Sequence, residues 1–159
     1  MVYLLFPILF MLHDFEEIIW GHNWLKENID SIKAPKLVKT ALTYVANLST
    51  RQFIFVVMEE FILCTLISIC AFYGRMKGLF LGIMVGYIFH CFMHFIQCIY
   101  IKRYIPLVVS AIITGIVTLI LVMHFSVKIS IIKLLWDGLI GSLLIIVNLF
   151  FSFFISRLI

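Results

Sequence analysis

Long apolar runs separated by short polar stretches dominate the chain. Five runs approach or exceed the ~20 residues that a membrane-spanning helix needs. They cover approximately residues 2–20, 52–73, 78–101, 104–124 and 134–156. The first run is the shortest and the least apolar, because acidic residues interrupt it. The pattern predicts an all-α fold: a polytopic membrane helical bundle of about five transmembrane helices in a single domain.

A long polar connection, residues 21–51, separates the first two runs. Within it, apolar residues recur at helical spacing from Lys36 to Thr50, with lysines between them. This pattern predicts an amphipathic helix that lies at the membrane interface. Continuation of the second span into water is an equally simple interpretation.

Composition supports a membrane protein. The chain is 64% hydrophobic and 13% charged, whereas soluble domains are roughly 45–50% apolar and ~25% charged. Its net charge of +4 does not indicate a nucleic-acid partner, because no basic patch is interleaved with aromatic residues. The start of the chain lacks a positive n-region, so we expect no cleavable signal peptide and a first span that is retained.

The basic residues predict an orientation. With five spans, the 21–51 connection, the turn at 102–103 and the C-terminus share one side of the membrane. That side carries most of the 12 lysine and arginine residues: Lys26, Lys33, Lys36, Lys39, Arg51, Lys102, Arg103 and Arg157. An excess of lysine and arginine marks the cytoplasmic side. We therefore predict an N-terminus outside and a C-terminus in the cytoplasm.

Strongly polar residues inside the runs lie in one layer. At 1.5 Å per residue, they are about 5–18 Å from the ends of their helices on the shared side. The layer comprises His13, Glu16, Glu17, Glu59, Glu60, His90, His94, Gln97 and Asn148. A charge at the bilayer centre costs at least ~2.5–3.5 kcal/mol. The layer therefore predicts a polar site in which these groups compensate one another or bind an ion.

Histidine spacing indicates what the ion would be. His90 and His94 are one turn apart on one helical face, which is how a helix supplies two nitrogen ligands. The predicted ligands of a divalent metal ion are His13, Glu16, Glu59, Glu60, His90 and His94. Zinc is favoured, and a di-iron or di-manganese centre is the alternative, since spacing alone does not decide between them. Of the paired glutamates, Glu60 is preferred as the inward residue.

The remaining polar groups have supporting roles in this prediction. Glu17 would act as the general base on a metal-bound water. Asp14, Gln97 and Asn148 would hydrogen-bond to the ligands rather than bind the metal. The predicted function is a membrane-embedded metal-dependent hydrolase of a lipid or other apolar substrate. The alternatives are a dimetal membrane oxidase, a module that binds or transports metal ions or protons, and a non-enzymatic interaction protein.

Glycines recur at intervals of four in the third run, at Gly78, Gly82 and Gly86. Small residues at this spacing let two helices approach closely in lipid. Helix packing is the simplest interpretation of the stripe. The same face is also predicted as a contact between copies of the chain.

One pentapeptide in the first run, His13-Asp14-Phe15-Glu16-Glu17, resembles the signature of the HXXEE domain proteins. These are small bacterial integral-membrane proteins named for that motif. The later Glu59-Glu60 pair and the His90/His94 pair are compatible with the layout of that family. The resemblance implies a bacterial plasma-membrane protein and a domain of uncharacterised function. It supports the polar site without naming a reaction.

Overall fold

A computed structural model of the chain describes residues 2–158, and all regular structure in that range is helical. The α-helices are α1 Leu5–Glu16, α2 His22–Asn28, α3 Lys36–Ala46, α4 Thr50–Phe72, α5 Lys77–Ile101, α6 Val108–Ser126 and α7 Ile131–Ser156. A π-helical turn, Glu17–Gly21, joins α1 to α2. Short 3-10 turns lie at Val2–Leu4 and Ile29–Ser31. The prediction of an all-helical bundle is confirmed.

Four helices, α4 to α7, are long and apolar enough to cross a membrane. The shortest has 19 residues and the longest 26, which is about 29–39 Å at 1.5 Å per residue. Many of their outward side chains are large and apolar, as expected for surfaces in contact with lipid. The chain is therefore an integral membrane protein by length and composition.

The predicted boundaries hold well for α4 and α5 and less well for α6 and α7. Helix α6 begins at Val108 rather than near 104, because α5 ends at the left-handed residue Lys102 and a turn follows it. Helix α7 begins at Ile131 rather than 134, because the Ser130 side chain accepts a hydrogen bond from the Lys133 N–H and caps the first turn.

The first predicted span, residues 2–20, has a different character. Helix α1 contains 12 residues, and the helical path continues through the π turn into α2. Phe6 and Leu9 of α1 are buried in the bundle, where α1 packs against α4 and α6. Helix α1 is not among the four membrane-length helices. A fifth crossing stays a prediction.

Helix α3 is separate from α4. The chain leaves the helix at Ala46, and Ser49 starts α4 through a capping box with Gln52: the Ser49 hydroxyl accepts from the Gln52 N–H, and the Gln52 side chain accepts from the Ser49 N–H. The interpretation of residues 36–50 as an extension of the second span is therefore wrong. Leu37 is 83% exposed and Ala46 is buried, which agrees with an amphipathic helix. Its place at the membrane interface stays a prediction.

The glycine stripe of α5 packs against α7 of the same chain. A Cβ added at Gly82 would overlap the backbone carbonyl oxygen of Asp137, and one at Gly141 would overlap the backbone at Gly82. A Cβ at Gly86 would lie 2.9 Å from the Ser142 hydroxyl. The small residues thus bring two helices of one chain into backbone contact. The stripe thus packs within the chain, and a contact between copies stays a prediction.

Three polar segments meet at one end of the bundle, as the connectivity predicts. Arg103 donates to the Asn28 side chain at 3.4 Å. Arg157 donates to the Tyr44 hydroxyl at 3.1 Å, and the Gln52 side chain donates to the Ser156 carbonyl at 3.1 Å. We refer to this end, formed by residues 21–51, 102–103 and 156–158, as the basic end.

Candidate metal centre

Three imidazole nitrogens and one carboxylate oxygen converge near the basic end of the bundle. The Nε2 atom of His90 lies 3.3 Å from that of His13 and 3.0 Å from that of His94. The Oε1 atom of Glu17 lies 2.9 Å from His94 Nε2, 3.5 Å from His90 Nε2 and 3.7 Å from His13 Nε2. We refer to these four residues as the His/Glu cluster.

Helical spacing explains how two segments supply all four groups. His13 and Glu17 are four residues apart across the end of α1, and His90 and His94 are four residues apart on α5. Residues at that spacing lie on one helical face. Tyr87, one turn before His90, holds the segments together: its hydroxyl donates to the Leu9 carbonyl at 3.3 Å and lies 2.8 Å from the Thr114 hydroxyl on α6.

Hydrogen bonds at the Nδ1 atoms orient two of the rings. His13 Nδ1 lies 3.0 Å from the Ser110 hydroxyl, which itself donates to the Leu107 carbonyl. With the hydroxyl donating to Leu107, it accepts from His13, and in that arrangement Nδ1 carries the proton and Nε2 presents a lone pair. His94 Nδ1 lies 3.2 Å from Gln97 Oε1, an acceptor that selects the same tautomer. Such outer bonds commonly fix the ring and tautomer of metal-binding histidines.

The cluster therefore brings acceptors against one another. Two imidazole lone pairs and a carboxylate oxygen face a common centre, and acceptors at these distances repel unless a proton or a metal ion lies between them. Five of the six separations among these four atoms are 2.9–3.7 Å, and all four atoms lie within 4.8 Å of one another. A regular tetrahedron with edges of about 3.3 Å has its centre about 2.0 Å from each corner, which is the usual zinc–nitrogen and zinc–oxygen bond length. The atoms thus suit a tetrahedral divalent cation.

Burial differs across the cluster. The side chain of His13 is fully buried, that of His94 is 9% exposed and that of Glu17 is 17% exposed. The His90 side chain is 45% exposed and lines the main cavity described next. The centre is therefore enclosed on the α1 side and accessible on the His90 side.

Two cavities flank the cluster. The main cavity, of about 290 Å³, is lined by α1, α4, α5 and α7 and is mostly apolar. A smaller cavity of about 160 Å³ lies toward the basic end and is lined by residues of α2 and α3 and by His94 and Gln97. Glu17 lines both cavities. The Glu17 carboxylate therefore lies between the mostly apolar main cavity and the smaller cavity near the basic end.

The other acidic residues predicted for the site lie around the cluster rather than in it. Asp14 and Glu60 line the main cavity, and each is 5% exposed. Glu59 turns to α7, where its Oε2 accepts from the Asn148 amide and the Ser152 hydroxyl, both at 2.5 Å. Asn148 therefore supports Glu59, not a histidine.

Of the two glutamates in the motif, Glu17 lies in the cluster and Glu16 does not. Glu17, predicted as the base, supplies the carboxylate of the cluster, whereas Glu16, predicted as a ligand, is not part of it. Glu16 is half-buried, and its Oε2 has no hydrogen-bond partner among residues 2–158. Glu17 is four residues after His13 and lies on the same helical face, whereas Glu16 is rotated away from that face.

Ser110 and Tyr87 were not predicted as site residues. Counted from residue 104, where the fourth span is predicted to begin, Ser110 would be about 9 Å deep at helical rise, which is within the predicted polar layer. The sequence indicates Tyr87 less clearly, because an aromatic residue one turn before His90 is also typical of an ordinary hydrophobic core.

The fold is that of a small polytopic helical membrane protein, with a His/Glu cluster between its helices. A family model described as a protein of unknown function with HXXEE motif matches residues 4–123, and the chain belongs to this family. The predicted resemblance is thereby confirmed. The match contains all four cluster residues and ends within α6, so α7 lies beyond it. Comparisons with curated proteins and with solved structures find no match.

Proposed function

We propose that this protein is a membrane-embedded metal-dependent hydrolase that acts on a lipid or other apolar substrate. A divalent metal ion, zinc in the first instance, would be held by His13, Glu17, His90 and His94. The observation that supports this is the convergence of three Nε2 atoms and one Oε1 atom at 2.9–3.7 Å. The apolar cavity beside the accessible face of His90 would hold the substrate.

A mononuclear centre is favoured over a dimetal oxidase. Among residues 2–158, the His/Glu cluster is the one group in which three or more histidine, cysteine or acidic ligand atoms lie within 4.8 Å of one another. Asp14 and Glu60 are the other acids on the main cavity, and they do not form a second such group. A second metal ion would therefore have too few protein ligands.

Glu17 gives the centre a route to hydrolysis. A catalytic zinc site keeps a position for water, and zinc can expand to five ligands. A bound zinc ion would supply a water molecule of lowered pKa as the nucleophile. Glu17 Oε1 lies 2.9 Å from His94 Nε2, but 3.5 Å from His90 Nε2 and 3.7 Å from His13 Nε2. As the one carboxylate of the cluster, Glu17 would accept the proton of that water.

Access would be divided between the two cavities. Water would enter through the smaller cavity at the basic end, and the apolar part of the substrate would lie in the main cavity. The scissile ester, amide or phosphoester bond would then meet the water at His90 and Glu17.

We place the basic end in the cytoplasm of a bacterial cell, with the N-terminus outside, because lysine and arginine are in excess there. The substrate would come from the cytoplasmic leaflet.

Elemental analysis coupled to an activity screen tests the proposal. The protein is purified in lipid nanodiscs without chelator, and its metal content is measured. Metal-stripped and zinc-reloaded samples are then compared on long-chain carboxylic esters, amides and phosphodiesters. We expect about one zinc ion per chain and turnover that zinc restores. Absence of stoichiometric metal, or two irons per chain, would overturn the proposal. Stoichiometric zinc without turnover on any of the three bond types would favour a metal-binding module instead.

A further inference from the structure

The main cavity contains two carboxyl groups that the proposed metal centre does not use. Asp14 and Glu60 each have 5% of their surface exposed, and both line the cavity. Both side-chain oxygens of Glu60 are buried and make no hydrogen bond to the described residues, and the nearby Asn148 amide donates to Glu59 instead. An unpartnered carboxyl group in an apolar cavity is unusual, because removing it from water is costly unless a hydrogen bond compensates.

The cavity wall offers these carboxyl groups no cationic partner. Its ionisable residues besides Asp14 and Glu60 are Glu17, His90, Tyr87 and Cys64. No lysine or arginine is among the lining residues. The lining is otherwise apolar, with Phe6, Phe10, Val56, Val57, Ile145 and Leu149 as examples. The cavity thus combines a hydrocarbon surface with a local excess of acid.

The structure favours an organic cation over a metal ion at this pair. A metal ion would need a third protein ligand close to Asp14 and Glu60, and among residues 2–158 only the His/Glu cluster brings three such atoms within 4.8 Å of one another. A primary ammonium group needs fewer fixed partners, since it has three rotatable N–H donors. It would donate to the partnerless oxygens of Glu60 and to Asp14.

We propose that Asp14 and Glu60 bind the protonated amine of an amphiphile whose hydrocarbon part lies against the phenylalanines and valines of the main cavity. The ligand is a primary ammonium group attached to a hydrocarbon chain, either a free alkylamine or the headgroup of an aminolipid. Naming an aminolipid a substrate rests on the proposed hydrolase, whereas binding of the amine does not. In an aminolipid, the ester or phosphoester part of the molecule would be directed to the metal centre.

Photolabelling tests this site. Protein in phosphatidylcholine nanodiscs, which contain no primary amine, is exposed to a dodecylamine that carries a diazirine in its chain. We expect labelling of peptides from α1 and α4, and displacement by dodecylamine at concentrations about tenfold lower than by dodecanol, as a charge-assisted bond would give. Glu60→Gln and Asp14→Asn should each weaken labelling about tenfold. Glu59→Gln is the matched control, because Glu59 already accepts two hydrogen bonds from α7, and it should label like the wild type.

Competition with phosphatidylethanolamine distinguishes the two sources of the amine: a short-chain aminolipid that displaces the label identifies a headgroup, and failure to displace identifies a free amine. Equal displacement by dodecanol and dodecylamine, or unchanged labelling of both Glu60→Gln and Asp14→Asn, would overturn the amine site.

The variant His94→Ala separates the test of the amine site from the test of the proposed hydrolase. The variant should lose metal and keep the label, so that an absent metal refutes the hydrolase alone.

Discussion

The two halves of α5 pack against their neighbours in different ways. In the half that begins at Lys77, glycines bring α5 into backbone contact with α7, and polar side chains are few. In the half that ends at Ile101, His90 and His94 direct imidazole rings at Glu17 and His13. One half gains stability from close approach, while the other keeps space for large polar groups.

The two halves should therefore respond differently to substitution. In lipid, helices associate through van der Waals contact at small residues, so the glycine half should respond to added volume through stability. The histidine half holds polar groups whose arrangement suits an ion, so it should respond to altered ligands through metal binding. If ligand substitutions in the histidine half changed stability alone, as added volume does in the glycine half, the histidine half would be only another packing surface.

Gly82→Ala should have the largest effect on stability. A Cβ there would overlap the backbone carbonyl of Asp137, which cannot move without shifting α7. We expect a loss of about 2–3 kcal/mol in the free energy of unfolding, measured by denaturant unfolding of the detergent-solubilised protein. Gly78→Ala is the matched control, because its Cβ would meet only the carboxylate of Asp137 at 2.9 Å. Equal losses for the two variants would contradict backbone contact at Gly82.

His94→Ala should affect metal binding next most strongly. Loss of one of four ligands should weaken zinc affinity by about 100-fold or more, since the zinc-binding energy of about 10–16 kcal/mol in structural sites is shared among the ligands. The measurement is competition for zinc against a chromophoric chelator. His124→Ala, which removes an exposed histidine at the far end of α6, should leave the affinity unchanged. A comparable fall in both variants would indicate nonspecific binding.

Paired glutamate variants distinguish the two acids of the motif. Glu17→Gln should reduce zinc affinity about 10- to 100-fold, because an anionic ligand becomes neutral. Glu16→Gln should change it less than about threefold, since Glu16 lies outside the cluster. Zinc competition on the two variants side by side gives the comparison. A larger effect at Glu16 would restore the prediction made from sequence and refute the observed rotation.

Ser110→Ala should weaken zinc binding less than the loss of a ligand does. This variant removes the acceptor for His13 Nδ1, and loss of such an outer bond typically reduces metal affinity 10- to 100-fold. We expect the lower end, about tenfold, because His13 remains buried and packed. Ser126→Ala, at the other end of α6, serves as the control in the same zinc competition. Unchanged affinity in Ser110→Ala would show that this serine does not orient His13.

The sequence predicted the membrane helices because their apolar runs set both position and length. It also grouped the histidines that the structure brings together, since connectivity and helical rise placed them at one depth. Preference for Glu60 as the inward glutamate agrees with its place on the main cavity. The amphipathic pattern likewise indicated α3, although not its separation from α4.

What the sequence could not provide depends on contacts between distant segments. The choice between Glu16 and Glu17 depends on the rotation of α1 against α5, and the π turn that starts at Glu17 changes the spacing after it. The bond from Asn148 to Glu59 requires the relative position of α4 and α7. The partner of the glycine stripe was likewise undetermined, because small-residue spacing does not tell whether the second helix belongs to the same chain.

X-ray absorption at the zinc edge tests the central claim most directly, because it reports the atoms bound to the metal. We expect a first shell of about four nitrogen and oxygen atoms at about 2.0–2.1 Å, with the outer scattering of imidazole rings. In His94→Ala, whatever zinc remains should show weaker imidazole scattering. A shell that contains sulfur, or one that is identical in the wild type and His94→Ala, would contradict a centre formed by His13, Glu17, His90 and His94.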